Sequence, residues 1–294
     1  MYTHISVMTQ EVLKYLNLES GGVFVDVTLG AAGHSSAILA KSNLARVYGI
    51  DIDKEALERA KRKVVNNPRL HLVHGNFRNM EILLAKKGIT CIDGLVGDLG
   101  LSSMELDDPE RGFTFRQEAP LDMRFNQEDD IKTAYDIINT YPQDELARIF
   151  KEYGDEKFPG RIARVITEHR AKKPIETTKE LGEIIWEVVP ARARKARLHP
   201  ATRVFQALRI EVNDELGALK DMLEQAIRLT SSGGRIIIIS FHSGEDRIVK
   251  NIFRDAKKEG KVKLITKKPI LPTAKEIEEN TRSRSAKMRV VEKI

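Results

Sequence analysis

Polar groups close four consecutive β-like runs of this chain. Asp26 follows GGVFV, and Asp51 and Asp53 close RVYGIDID at 46–53. Asn76, with Phe77, ends LHLVHGNF at 70–77, and Asp98 ends the strand pattern in IDGLVGDLG at 92–100. If the four runs lie in one parallel sheet, these groups share its carboxyl edge, the crevice where open α/β folds bind ligands. A carboxylate after the second strand can accept hydrogen bonds from ribose hydroxyls. Asn76 and Phe77 offer an amide and an aromatic face to a base. The first run leads into DVTLGAAGHS at 26–35, whose small residues let a ligand approach the backbone.

The glycine turn alone does not select the ligand. A phosphate-binding loop of the form G-x-x-x-x-G-K-[ST] fails, because Thr28 stands at the first glycine and His34 at the lysine. The dinucleotide fingerprint lacks its first glycine, and Gly30 and Gly33 by themselves read equally well as a tight strand-to-helix turn. The four strand ends together favour a nucleoside without a pyrophosphate, which points to S-adenosylmethionine (SAM). His71 and His74 point to opposite faces of a strand, and Cys91 is the only cysteine, so no metal site is expected. Neither Gly100-Leu-Ser-Ser-Met104 nor Ser-Phe-His-Ser243 has the glycines of a nucleophile elbow.

The elements that must position these groups follow from periodicity. Helical patterns separate the four β-like runs, and in DKEALERAKRKVVNN Ala56, Ala60 and Val64 form one apolar stripe. Alternating strands and helices imply βαβ units and a parallel sheet. The alternation stops near residue 105, and the segment to about 211 reads as a loop followed by helices, with no buried strand. One helix opens with Thr177 and Glu180 at capping-box spacing, and another begins at Pro200 with Val204, Phe205 and Leu208 on one side. Strand patterning returns in GGRIIIISFHS at 233–243, then in VKLITKK and SAKMRVVEKI. The expected organisation is a discontinuous α/β domain of residues 1–108 and 212–294, interrupted by a helical inserted domain of residues 109–211.

The bulk properties set the class. A chain of 294 residues, 41% hydrophobic and 31% charged, has ample material for a buried core. No apolar run approaches a membrane span, and the N-terminus lacks a charged region followed by an apolar stretch. A single cysteine suits a reducing, cytoplasmic setting. The net charge is +6, and residues 191–209 carry six Lys/Arg and no acid, with Arg282, Arg284, Lys287 and Arg289 forming a second cluster. Such clusters suit a nucleic-acid backbone, or a solvated basic surface. Three readings stay open on residues alone: a methyltransferase on RNA, one on protein or DNA, and a non-catalytic RNA-binding module. A nicotinamide dehydrogenase ranks behind them.

Several strings then match one family. They are HISVM at 4–8, GAAGHS at 30–35, GDLGLSS at 97–103, DDPERGFTF at 107–115 and PLDMR at 120–124. HPATRVFQALR at 199–209, SFHSGEDR at 240–247 and RSRSAKMR at 282–289 complete the set. Spread almost from end to end, they make the chain resemble the MraW family of bacterial small-subunit ribosomal RNA methyltransferases. The resemblance implies a Rossmann-like class I SAM-dependent methyltransferase sheet interrupted by a helical inserted domain that recognises substrate. It implies methylation of the exocyclic N4 of a cytidine in the decoding region of 16S rRNA, within the small ribosomal subunit. The family's cofactor contacts fall on Ala32, Gly33, His34, Asp51, Phe77 and Asp98. A further contact falls on Glu105, where relatives usually carry glutamine, and Gly244 stands where leucine is common.

Asp98 and His242 are the candidate catalytic residues. A carboxylate at Asp98 can accept the amino hydrogens of cytosine and localise its nitrogen lone pair, or it can serve cofactor binding alone. His242 can accept the departing proton or simply stabilise its turn. Phe113 and Phe115, beside Arg111 and Arg116, can stack on an unpaired base or anchor their loop to the core. Nothing in the sequence selects between a monomer and a homodimer.

Overall fold

A computed structural model of the chain describes residues 6–64, 67–101, 106, 108–194 and 199–294, and of residues 192 and 193 the backbone alone. The chain forms two compact units, Met1–Gly100 with Leu216–Ile294, and Leu101–Glu215.

The first unit is built on seven strands: β1 (Gly22–Asp26), β2 (Ala45–Asp51), β3 (Leu70–His74), β4 (Ile92–Asp98), β5 (Thr230–Ser240), β6 (Val262–Leu264) and β7 (Lys287–Lys293). They lie in the order β3-β2-β1-β4-β5-β7-β6. Strands β1 to β5 pair in parallel, whereas β7 runs antiparallel between β5 and β6. The chain builds outward from β1 through β2 to β3, then returns to place β4 on the other side of β1. The strand order therefore reverses between β1 and β4, and their carboxyl ends flank the switch point where such sheets bind ligands.

The apolar strand sequences are explained by burial on both faces. Successive side chains point to opposite sides, so Val23, Val25, Ile236 and Ile238 enter one core while Phe24, Ile237 and Ile239 enter the other. The first core is covered by α11 (Glu215–Leu229) and α12 (Ser243–Lys258). In α11 the stripe is Leu219, Met222, Leu223 and Ala226, spaced i, i+3, i+4, i+7. The second core is covered by α1 (Thr9–Tyr15), through Val12 and its C-cap Leu16, and by α2 (Gly33–Lys41), through Ile38 and Leu39. Burying each such side chain contributes about 1.5–3 kcal/mol. The β2–β3 and β3–β4 connections carry α3 (Lys54–Lys63) and α4 (Met80–Ala85).

The second unit is helical, and no strand occurs among its described residues. Its helices are α5 (Ala134–Thr140), α6 (Gln143–Glu152), α7 (Pro159–Arg170), α8 (Thr178–Val188), α9 (Ala191–Arg194) and α10 (Ala201–Asn213). Their apolar stripes meet in one core that includes Ile149, Phe150, Ile162, Ile185, Val204 and Leu208. Thr177 caps α8 by accepting from Glu180 N at 3.2 Å. The reciprocal arm of the expected capping box goes to Glu176 N instead, at 3.0 Å.

Several of the basic and aromatic residues that suit either RNA contact or structural anchoring are used inside this unit. The Arg111 guanidinium is buried and donates to the carbonyls of Arg124 and Phe125. Phe113 is buried against Phe125, and Phe115 packs between His199 and Phe205. Arg194 donates to Val189 O and Glu187 O, and Arg209 forms a two-point pair with Glu215 at 2.6 and 2.9 Å. Arg116 and Arg284 remain exposed. Lys195 and Arg197 lie outside the described residues.

Arg289 of the C-terminal cluster is also engaged. From β7 it pairs with Asp246 of α12 through bonds of 2.6 and 3.2 Å, with both side chains largely buried. That pair joins the SFHSGEDR segment to the RSRSAKMR segment. Replacing Asp246 by alanine leaves the guanidinium buried without its partner and should cost about 3 kcal/mol, the lower end for a broken buried pair. Urea unfolding of Asp246→Ala checks this: a lower midpoint with an unchanged slope is expected.

Candidate active site at the carboxyl edge of the sheet

The turn after β1 is held in an uncommon conformation. Gly30 has φ +50° and Ala32, fully buried, has φ +56°. A left-handed conformation costs a residue with a Cβ about 1–2 kcal/mol, so the surroundings must impose it at Ala32. They do so through Ala32 N, which donates to Leu29 O at 2.7 Å, and Gly30 N, which donates to Asp51 Oδ2 at 2.8 Å. Helix α2 starts at Gly33, where the Ser6 hydroxyl occupies the place a Cβ would take. The first turn of α2 brings backbone N–H groups and the positive end of the helix dipole to the sheet edge.

Three side chains converge behind this turn, two from the strands at the switch point and one from α2. Asp26, at the end of β1, is buried and accepts from Ser35 Oγ at 2.7 Å and Thr28 N at 3.2 Å. Asp98, at the end of β4, is fixed through its backbone N–H to Thr28 Oγ1 at 2.7 Å. His34, buried in α2, places Nε2 3.4 Å from Asp98 Oδ2. Two atoms of this group, Asp98 Oδ1 and His34 Nδ1, are buried and have no hydrogen-bond partner among the described residues. Leaving a buried polar atom unsatisfied costs roughly 1–3 kcal/mol, so these atoms mark where a ligand is expected.

The electrostatics follow from burial and charge. Burial pushes the Asp26 carboxyl above its ordinary 3.8, against the opposing pull of His34, Ser35 and Thr28. Burial opposes charge on His34, but the hydrogen bond and charge of Asp98, joined by Asp26 and Glu276, carry its pKa above the ordinary 6.5. One imidazole is thus set among several acids, a surrounding that suits a cationic ligand.

The other expected contacts are placed as follows. Asp51 Oδ1 accepts from Asp53 N at 2.9 Å while Oδ2 supports Gly30, so its carboxylate ties the end of β2 to the glycine turn. Asp53 caps α3 and pairs with Arg59 at 3.0 Å. Asn76 caps a short 3₁₀ turn through Arg78 N, and Phe77 packs partly buried against the first core. Glu105 lies outside the described residues. His242 is the N-cap of α12: its Nδ1 accepts from Glu245 N at 3.4 Å, and Glu245 Oε2 accepts from the backbone of Phe241 and His242. Its Nε2 lies 3.2 Å from Glu245 Oε1 but outside hydrogen-bond alignment. Nδ1 thus serves the turn, and Nε2 is a buried ring nitrogen without a hydrogen-bond partner among the described residues. Sequence reasoning passed over Thr28 and Ser35, which fix the two acids, although both lie inside the 26–35 string; it also passed over Glu276.

The raised His34 pKa fixes a sign. A histidine with its folded pKa above the unfolded value contributes stability that is full below about pH 6.5 and is lost as pH rises through the folded pKa. The stability difference between the protein and His34→Gln should therefore shrink from about pH 6.5 upward. Thermal unfolding of both across that window checks it, and a difference that grows with pH would contradict the assignment.

Comparison with known proteins gives the family. The profile of the MraW methylase family matches residues 1–294. The chain is similar to the ribosomal RNA small subunit methyltransferase H of Clostridioides difficile strain 630, 47% identical over 310 residues, covering all of this chain and 99% of the relative. The protein of that name from Carboxydothermus hydrogenoformans is 46% identical over 309 residues, covering all of this chain and 98% of the relative. With its match running the whole length and its acids and glycine turn gathered at the switch point of the sheet, the chain belongs to the MraW methylase family.

Proposed function

We propose that the protein transfers a methyl group from SAM to the exocyclic N4 of a cytidine in 16S rRNA of the small ribosomal subunit. The observation that carries this reading is Asp98 Oδ1, a buried acceptor without a partner at the carboxyl end of β4. Family membership supports methyl transfer, and the names of the close relatives support ribosomal RNA as substrate. When bound, SAM supplies a methyl group activated by a sulfonium.

The residues present fit such a cofactor. The Ala32–His34 backbone and the start of α2 would hold it, with Asp51 as the acceptor for ribose hydroxyls and Phe77 as the aromatic face for the base. Asp26 and Asp98 set acidic groups beside His34 to meet the cofactor's positive charge.

The amino nitrogen of cytosine is a weak nucleophile because its lone pair is conjugated with the ring. Asp98 Oδ1 would accept an amino hydrogen, which localises that pair, and would take the proton N4 gives up on methylation, the sulfonium leaving as a neutral thioether as its bond to the methyl group breaks. His34 holds the other oxygen of the same carboxylate. We assign the proton to Asp98 rather than to His242, whose Nδ1 serves the cap of α12. We assign substrate recognition to the helical unit, residues 101–215. There Arg116 is a free contact for a phosphate, while Arg111, Arg194 and Arg209 are not.

Asp98→Asn keeps the shape but replaces one oxygen by a donor. Methyl transfer to cytidine N4 should fall about 100-fold or more, the scale of a lost general base. Mass spectrometry of digested rRNA after single-turnover reaction reads this. Unchanged transfer and unchanged SAM affinity would remove Asp98 from the mechanism.

A further inference from the structure

The C-terminal segment reaches the site through Glu276, a residue that neither the sequence motifs nor the mechanism above accounts for. Glu276 lies in α13 (Ala274–Glu279), whose N-cap Thr273 accepts from Glu276 N at 3.2 Å. Its Oε1 accepts from Met8 N at 2.5 Å, across 268 residues of chain. Met8 is buried and left-handed, with φ +54°, a conformation its surroundings must enforce. Two residues earlier, Ser6 sets its hydroxyl where a Cβ of Gly33 would stand, and Ser6 O accepts from Thr9 Oγ1 at 3.0 Å. Residues 6–8 thus lie as a strap on the glycine turn, fastened at one end by Glu276. The same carboxylate is half-buried and interacts electrostatically with Glu11, Asp98 and His34.

We propose that Glu276 is a positioning residue of the cofactor site: it fastens the strap of residues 6–8, and the strap holds the Gly30–His34 turn in its ligand-binding conformation. The chemistry suits a bond of this kind. A backbone N–H donated to a carboxylate is stronger than a neutral hydrogen bond. A left-handed Met8 would relax without it, drawing Ser6 away from Gly33. The turn would then lose the packing that favours the left-handed Ala32, and its N–H groups would no longer be preset for a ligand. The consequence for SAM rests on the function proposed above; the coupling between Glu276 and the turn does not.

Hydrogen exchange of the ligand-free protein, read by mass spectrometry in peptides covering 6–16 and 30–36, tests the coupling directly. In Glu276→Ala, exchange should rise about tenfold in both peptides, the effect of losing one charge-assisted bond. Glu276→Gln keeps an oxygen that can accept from Met8 and should stay close to wild type in both. Faster exchange in 6–16 alone, or in neither, overturns the proposal. Should Glu276→Ala fail to fold, Ser6→Gly removes only the strap's contact with Gly33, and unchanged exchange in 30–36 then overturns it.

Calorimetric titration with SAM reads the consequence. Affinity should fall about tenfold in Glu276→Ala and recover in Glu276→Gln, a step of about 1.4 kcal/mol. Wild-type affinity in Glu276→Ala overturns the positioning role. No SAM binding by the wild-type protein would instead overturn the proposed function, leaving the exchange result to judge the strap.

Discussion

The interaction on which the site depends is the contact between His34 and Asp98, buried beside Asp26 where the sheet reverses its strand order. Burial disfavours charge on the imidazole, and the hydrogen bond and charge of Asp98, with the other acids nearby, outweigh it. Their positions follow from the β1–β4 pairing, in which Asp26 registers with Val96, and from Thr28, whose hydroxyl binds the Asp98 backbone. Because helices cover both faces of the sheet, the carboxyl edge is where polar side chains can be held rigidly and still meet a ligand.

Much of the fold was legible in the sequence, for a physical reason. A parallel strand covered on both faces must be apolar throughout, and IIII at 236–239 can be little else. The acids at the strand ends were visible as interruptions of that pattern. The hydrogen bonds that direct them were not, because they depend on which strands become neighbours. Asp246 with Arg289 and Met8 with Glu276 join residues far apart in sequence, and nothing in the local pattern around Glu276 distinguishes it from an ordinary capping residue.

The basic clusters show where composition misleads. Arginine carries five donors in a rigid fork and satisfies backbone carbonyls as readily as phosphates. Arg111 and Arg194 spend their donors on carbonyls, while Arg209 and Arg289 are paired with acids. Counting positive charge therefore overstates the surface open to nucleic acid. His242 does two things at once: its Nδ1 caps the helix, while its buried Nε2 has no hydrogen-bond partner among the described residues.

The most direct measurement is transfer of labelled methyl from SAM to small ribosomal subunits that lack the modification, with naked rRNA, DNA and bulk protein alongside. Label on the N4 of a single cytidine in the subunit's rRNA is the expected result. Label confined to protein or DNA, or none despite measurable SAM binding, would contradict it.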